Sequence, residues 1–135
     1  MKKSFIQIFA LLIMLGSWSC NAKTKKNEVS AAVSDKVEVY YFHFTGRCVT
    51  CQAVESVTKS SLQSFYGDKI PFSSVNLDEA YGKALAKKLG VAGQTMLIVK
   101  GETKINITNE GFMYARNNPD KFKSIIKEKI DPLVN

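Results

Sequence analysis

The sequence is sparing with the residues that most often build reaction centres. Its 135 residues hold one histidine, one tryptophan, three prolines and three cysteines. A closed zinc site wants four ligands, and His43 with the thiols offers at most three in this region of one chain. Nothing resembles a flavin or nicotinamide site, so no cofactor is expected. The longest apolar run falls short of the roughly 20 residues that cross a bilayer. There is no internal repeat and no low-complexity tract, and the length suits one domain.

Charge of one sign is also less abundant than it first looks. The formal net charge is +7, but Lys2, Lys3, Lys23, Lys25 and Lys26 all lie near the N-terminus. From Asp35 onward fourteen basic residues face eleven acidic ones, a net of +3. These charges are interspersed, as on an ordinary solvated surface, and no nucleic-acid partner is expected.

What is present begins with a positive start, Lys2 and Lys3, then an apolar run from Phe5 to Leu15 broken by Gln7. Gly16, Ser17 and Ser19 follow. This layout predicts a bacterial export signal over residues 1–20. Cys20 has two readings. It resembles the lipidated cysteine of a lipoprotein signal, although Ser17 and Trp18 fit that pattern imperfectly. Otherwise cleavage after Ala22 discards it. Either way the domain is expected on the periplasmic side of the cell envelope, anchored to the membrane by lipid if Cys20 is retained and secreted to the periplasm if not. Disulfides persist there, and Cys48 and Cys51 remain as a pair. Residues 21–35 are polar and small, without a period, and read as a flexible tether to a domain over 36–135.

Within the domain the punctuation is clear. "KVEVYYFHF" reads as a strand buried on both faces. A helix is predicted from about Cys48 to Tyr66, with Val54, Val57, Thr58, Ser61, Leu62 and Phe65 at helical spacing and Gly67 at its end. "IPFSSVNL" is a second strand. Asp78 is expected to cap a helix over Glu79 to Leu89 that Gly90 closes. "TMLIV" and "TKINI" form a hairpin around Lys100, Gly101 and Glu102. Asn118 caps a last helix that opens with Pro119 and buries Phe122, Ile125, Ile126, Lys129, Ile130 and Leu133. The order β-α-β-α-β-β-α predicts an α/β domain, with a central four-stranded mixed sheet and helices on both faces. "TNEGFMYARNN" is longer than a simple turn. Phe112, Met113 and Tyr114 within it are expected to form either a lip beside the cysteines or plain core.

The chemistry centres on "HFTGRCVTCQAV". The spacing of Cys48 and Cys51 serves a redox dithiol, half a metal site or a pair of inert core thiols. A CxxC at the junction of the first strand and first helix, followed by this element order, resembles the thioredoxin-like superfamily over about Val37 to Val134. "YYFHFTGRCVTC", "GVAGQTMLIV" and "YARNNPDKFK" together are similar to a small group of bacterial thioredoxin-like proteins, the ArsF-type subunit of a nitrophenyl-compound nitroreductase.

The resemblance implies a thioredoxin-like fold and a thiol–disulfide oxidoreductase. Cys48 would be the nucleophile at a helix start and Cys51 the resolving thiol. The helix terminus is worth about 1 kcal/mol to an anion, enough to lower a thiol near 8.5 by about one unit, and Arg47 would add to this. Val49, Thr50, Gln94 and Thr95 would line the partner groove. The departures touch this same site. Typical thioredoxins have tryptophan where Arg47 stands, Gly-Pro where Val49 and Thr50 stand, a cis-proline where Thr95 stands, and a buried acid where Phe42 stands. Without that proline, the Thr95 hydroxyl is expected to face the sulfurs. His43 is read as a structural strand residue, a proton relay or a third metal ligand. Glu55 is read as a proton acceptor for Cys51 or as the i+4 ion-pair partner of Lys59.

Three functions follow as expectations. The first is a dithiol oxidoreductase with a protein thiol or disulfide partner and an upstream electron donor or acceptor. The second is a module handling copper(I) or zinc through the two thiolates. The third is an accessory subunit of a larger reductase.

Overall fold

The computed structural model describes residues 34–135. The export signal, Cys20 and nearly all of the tether lie outside the described residues. Strand β1 (Glu38–His43) runs into a loop and then helix α1 (Val49–Tyr66). Strand β2 (Phe72–Asn76) precedes helix α2 (Ala80–Leu89). Strands β3 (Thr95–Lys100) and β4 (Thr103–Asn106) form the hairpin, and helices α3 (Thr108–Tyr114) and α4 (Pro119–Val134) complete the domain. β1 and β2 are each three residues shorter than their sequence patterns and β4 one shorter, while β3 extends one residue further, to Lys100.

The sheet order is β2-β1-β3-β4. β1 lies parallel to β2, as a βαβ crossover requires, and antiparallel to β3. Its central place explains why both faces of "VYYFH" are apolar or aromatic. On one face Val39, Tyr41, Met96 and Ile98 meet Val54 and Leu62 of α1 and Phe122, Ile126 and Ile130 of α4. On the other, Phe42, Leu97 and Val99 meet Leu85 and Ala86 of α2. Phe122, Ile126 and Ile130 are fully buried, and each contributes roughly 1.5–3 kcal/mol by leaving water. The predicted stripe of α4 therefore holds at its centre, while Ile125, Lys129 and Leu133 flank it half-buried. Among the described residues no helix is long and apolar enough to cross a membrane.

Helix ends follow local chemistry. Gly67 (φ 59°) and Gly90 (φ 73°) end α1 and α2 in a backbone region that favours glycine. The Asn118 side chain accepts the Lys121 N–H at 3.2 Å, with Pro119 next to it. Asp78 departs from expectation. The cap of α2 is Glu79, which makes no side-chain capping bond. Asp78 instead accepts the Thr45 backbone N–H at 2.7 Å and so ties the β2–α2 turn to the loop after β1.

The segment 108–118 also differs, because its first seven residues form the extra helix α3. The Thr108 hydroxyl accepts the Met96 N–H at 2.9 Å, and the Asn106 side chain accepts the Thr108 N–H at 3.0 Å. Gly111 lets the helix approach closely, since a Cβ there would lie 3.2 Å from the Phe122 ring and 3.3 Å from Val54. These long-range contacts hold a helix too short to persist alone.

Candidate functional site

The C-terminal end of β1 delivers the chain into the loop 44–48. That loop is fixed from several directions. The His43 ring N–H at Nδ1 donates to the Phe44 carbonyl at 2.9 Å, and the Leu77 N–H donates to the His43 carbonyl at 2.7 Å. The Asn76 amide donates to the Thr45 hydroxyl at 3.1 Å. The Thr45 backbone N–H and hydroxyl hold the Asp78 carboxyl below its usual range.

Cys48 is the N-cap of α1, with extended backbone (φ −77°, ψ 163°). Its sulfur accepts the Cys51 backbone N–H at 3.1 Å, one of the helix donors that would otherwise be orphaned. Cys48 and Cys51 form a disulfide. Cys48 is exposed, whereas Cys51 is buried at 5% exposure. The first cysteine is therefore open to solvent and the second lies beneath it.

Arg47 does not stand free beside the sulfur. Its Nη2 pairs with Glu55 Oε2, and its guanidinium lies 5.8 Å from the centroid of the Tyr41 ring. The other Glu55 oxygen accepts Lys59 Nζ at 2.7 Å. Burial alone would raise the Glu55 pKa, but the hydrogen bonds and charges of Lys59 and Arg47 outweigh it and hold the carboxyl at about 2. Glu55 thus makes the helix-surface pair with Lys59, extended by Arg47. A carboxylate held this firmly ionised is a poor proton acceptor for Cys51.

His43 is half-buried with its ring 5.8 Å from that of Tyr41. Among the described residues no three His, Cys, Asp or Glu side chains gather as a metal site would need, so His43 does not join the two cysteines in one. Phe42, at the position where thioredoxins carry an acid, is fully buried among Val75, Leu77 and Leu97 on the α2 face.

The start of β3 comes to the same end of the sheet, because Thr95 is in register with Phe42. All described peptide bonds are trans, including the one before Thr95. The Thr95 hydroxyl donates to the Gly93 carbonyl at 2.9 Å, so its hydrogen is committed within its own loop rather than to the sulfurs. Gln94 Nε2 donates to the Tyr41 hydroxyl at 2.6 Å. Val49 is 65% exposed and Thr50 half-buried at the rim. Phe44, Leu77, Val91 and Ala92 line a hollow of about 360 Å³ between Lys83 and Lys87. A larger hollow of about 730 Å³ lies at the other end of the sheet, by Lys36, Tyr66 and Lys100, away from the cysteines. In α3, Tyr114 packs at the core edge and Met113 is exposed.

Tyr41 is the site residue that sequence reasoning missed. Burial raises its pKa, while the Gln94 hydrogen bond and the Arg47 charge pull it back. The signal was a tyrosine in a strand read as buried on both faces, whose hydroxyl must find a polar partner.

This architecture has solved counterparts. Thioredoxin O2 from Arabidopsis thaliana in its oxidized state superposes with a TM-score of 0.50 at 21% identity, covering 70% of this chain and 75% of that one. The chain has the thioredoxin-like fold. The thioredoxin of Malassezia sympodialis matches with a TM-score of 0.49 at 26% identity, over 70% of this chain and 76% of its own. Mitochondrial thioredoxin 3 from Saccharomyces cerevisiae, also oxidized, gives 0.45 at 24% identity, over 70% and 79%. No protein-family model matches the sequence, and no curated protein matches it significantly. Within the thioredoxin-like fold, the CxxC of this chain lies where the first strand passes into the first helix.

Proposed function

We propose that the chain is a thiol–disulfide oxidoreductase of the cell envelope. One observation carries this reading: an exposed Cys48 caps α1 and is joined to a buried Cys51 one turn further in. In the reducing direction, the Cys48 thiolate attacks one sulfur of a partner disulfide. A mixed disulfide forms, and the partner's other sulfur leaves as a thiolate that takes a proton from solvent. Cys51 gives up its proton to solvent and attacks the Cys48 sulfur. The intramolecular disulfide forms and the partner's second thiolate departs. The partner gains two electrons and the domain loses two. An upstream dithiol of a donor protein would restore them, and the same steps run backwards oxidise a partner.

Helix N–H groups at Cys48 favour its thiolate, and the Arg47 charge one residue away adds to this even while paired with Glu55. In this reading a partner chain would meet Val49, Thr50 and Gln94, with Thr95 buried just behind them. The expected export signal supports a periplasmic location, with a lipid anchor if Cys20 is retained.

A second reading is a redox-dead or accessory interaction domain, as a subunit of a larger reductase. The likeness of three sequence segments to the ArsF-type subunit supports it, as do the departures at Phe42, Arg47 and Thr95. To test the main reading, the purified full chain is equilibrated in glutathione buffers, the Cys48–Cys51 couple is quantified by thiol labelling, and bound metal is measured on the same sample. A reversible two-electron couple without metal is expected. Stoichiometric copper or zinc on the reduced thiols would replace this reading with metal handling, and neither result would leave the accessory role.

A further inference from the structure

The Tyr41 side chain links two pieces of chain that flank the dithiol. Its hydroxyl accepts the Gln94 amide at 2.6 Å, and its ring lies 5.8 Å from the Arg47 guanidinium. Gln94 belongs to the loop leading into β3, and Arg47 immediately precedes Cys48. Tyr41 itself is fully buried in the central strand, in register with Met96 and Ser74, so its position is set by the core.

The backbone on either side of Gln94 is held by the Val91 N–H on the Ala86 carbonyl (2.8 Å) and by the pairing of Thr95 with Phe42, and the Gln94 side chain is held by its bond to Tyr41. The residues before it, Val91 to Gly93, are half-buried or exposed, and the backbone turns there from α2 into β3. Thioredoxins have a proline next to this position. Here Thr95 stands there, with a trans bond before it and a hydroxyl bonded only to Gly93 within the same loop. The Gln94 side chain itself is tied to the sheet by this one hydrogen bond, in a half-buried setting where such a bond is stronger than in water.

We propose that Tyr41 is a positioning residue for partner recognition: through Gln94 it holds the loop 91–95 at the spacing from Cys48 that a protein disulfide requires. The proposal rests on the thiol–disulfide reading above and deepens it. A folded or extended protein partner must fit between this loop and the dithiol, whereas a small disulfide needs only access to the exposed Cys48 sulfur. Tyr41 thus acts on the choice between protein and small-molecule disulfides and leaves the sulfur chemistry to the cysteines.

The test uses the pre-reduced full chain in single turnover against insulin, as the protein disulfide, and against glutathione disulfide. Each reaction oxidises the dithiol and reduces one disulfide, so no further reductant enters. Tyr41→Phe keeps the ring and removes the hydroxyl. It is expected to lower the insulin rate about tenfold relative to the glutathione disulfide rate, the effect of losing one well-placed hydrogen bond. Gln94→Ala, at a half-buried loop residue, should do the same and carries the test if Tyr41→Phe does not fold. The double variant should be no worse than either single one. Equal falls on both disulfides, no change, or additive effects would overturn the proposal. So would wild-type exchange with glutathione disulfide but not with insulin. Failure of the wild type with both would overturn the oxidoreductase reading itself, and this proposal with it.

Discussion

Arg47 and Glu55 form an ion pair that straddles the dithiol: one stands a residue before Cys48, the other four residues after Cys51. The pair binds the incoming loop to the second turn of α1. It also places a carboxylate on the cation that immediately precedes Cys48 in the chain, which moderates what that cation does for a thiolate.

Glu55→Gln removes the negative charge and releases Arg47. The pH at which Cys48 of the reduced protein is alkylated should then fall, because a nearby cation favours the thiolate and its counter-charge is gone. Arg47→Ala should move it upward. The rate of iodoacetamide alkylation against pH reads both shifts, and a rise in Glu55→Gln would refute this account of the site.

The same pair makes stability depend on acid. Glu55 titrates at about 2 in the folded protein against 4.5 for the free group. Its folded pKa is depressed, so its contribution is complete above about 4.5 and is lost as pH falls through about 2. Lys59 is exposed, and after allowance for solvent screening the contribution is about 1–2 kcal/mol. Urea unfolding should show wild type ahead of Glu55→Gln by that margin at pH near 6, with the gap closing below about 4.5. A gap independent of pH would mean that packing, not charge, explains the difference.

Cys48→Ser should abolish exchange with disulfide substrates. Cys51→Ser should retain the first step and accumulate a mixed disulfide on Cys48, because the buried resolving thiol is gone. Mass spectrometry of the product separates the two, and accumulation on Cys51 in the Cys48→Ser protein would reverse the assignment.

Thr95 opens β3, a strand position that tolerates proline. Thr95→Pro should change the rate of partner exchange by more than its small effect on melting temperature. A large loss of stability with unchanged exchange would remove Thr95 from the groove.

Away from the site, Gly82 of α2 packs directly on the end of β2. A Cβ there would lie 1.9 Å from the Asn76 carbonyl oxygen, so the backbone must shift to admit it. Gly82→Ala should cost about 3 kcal/mol, the upper end for overpacking, despite its better helix propensity. Chemical denaturation checks this, and a stabilised variant would contradict the observed contact.

Much of the fold was legible because its signals are local. The alternating and continuous apolar patterns of β1, β2 and the hairpin, the spacing in α1 and α4, and the glycines at 67 and 90 all act within a few residues of themselves. Helix α3 was not legible. Its seven residues include Gly111, and what holds it is the Met96 N–H on Thr108 and the close approach to Phe122 and Val54. Asp78 looked like a cap from its neighbours, but a loop 33 residues away took its carboxylate.

The site divides in the same way. The amino-acid sequence by itself determined that Cys48 and Cys51 stand three residues apart at a strand-to-helix junction, since spacing and periodicity are properties of a short stretch. Only the tertiary structure decided that Arg47 turns to Glu55, that the Thr95 hydroxyl bonds to Gly93, and that Tyr41 reaches Gln94 53 residues away. Such partners are chosen by which side chains the packed sheet brings within about 3 Å, a distance no local pattern encodes.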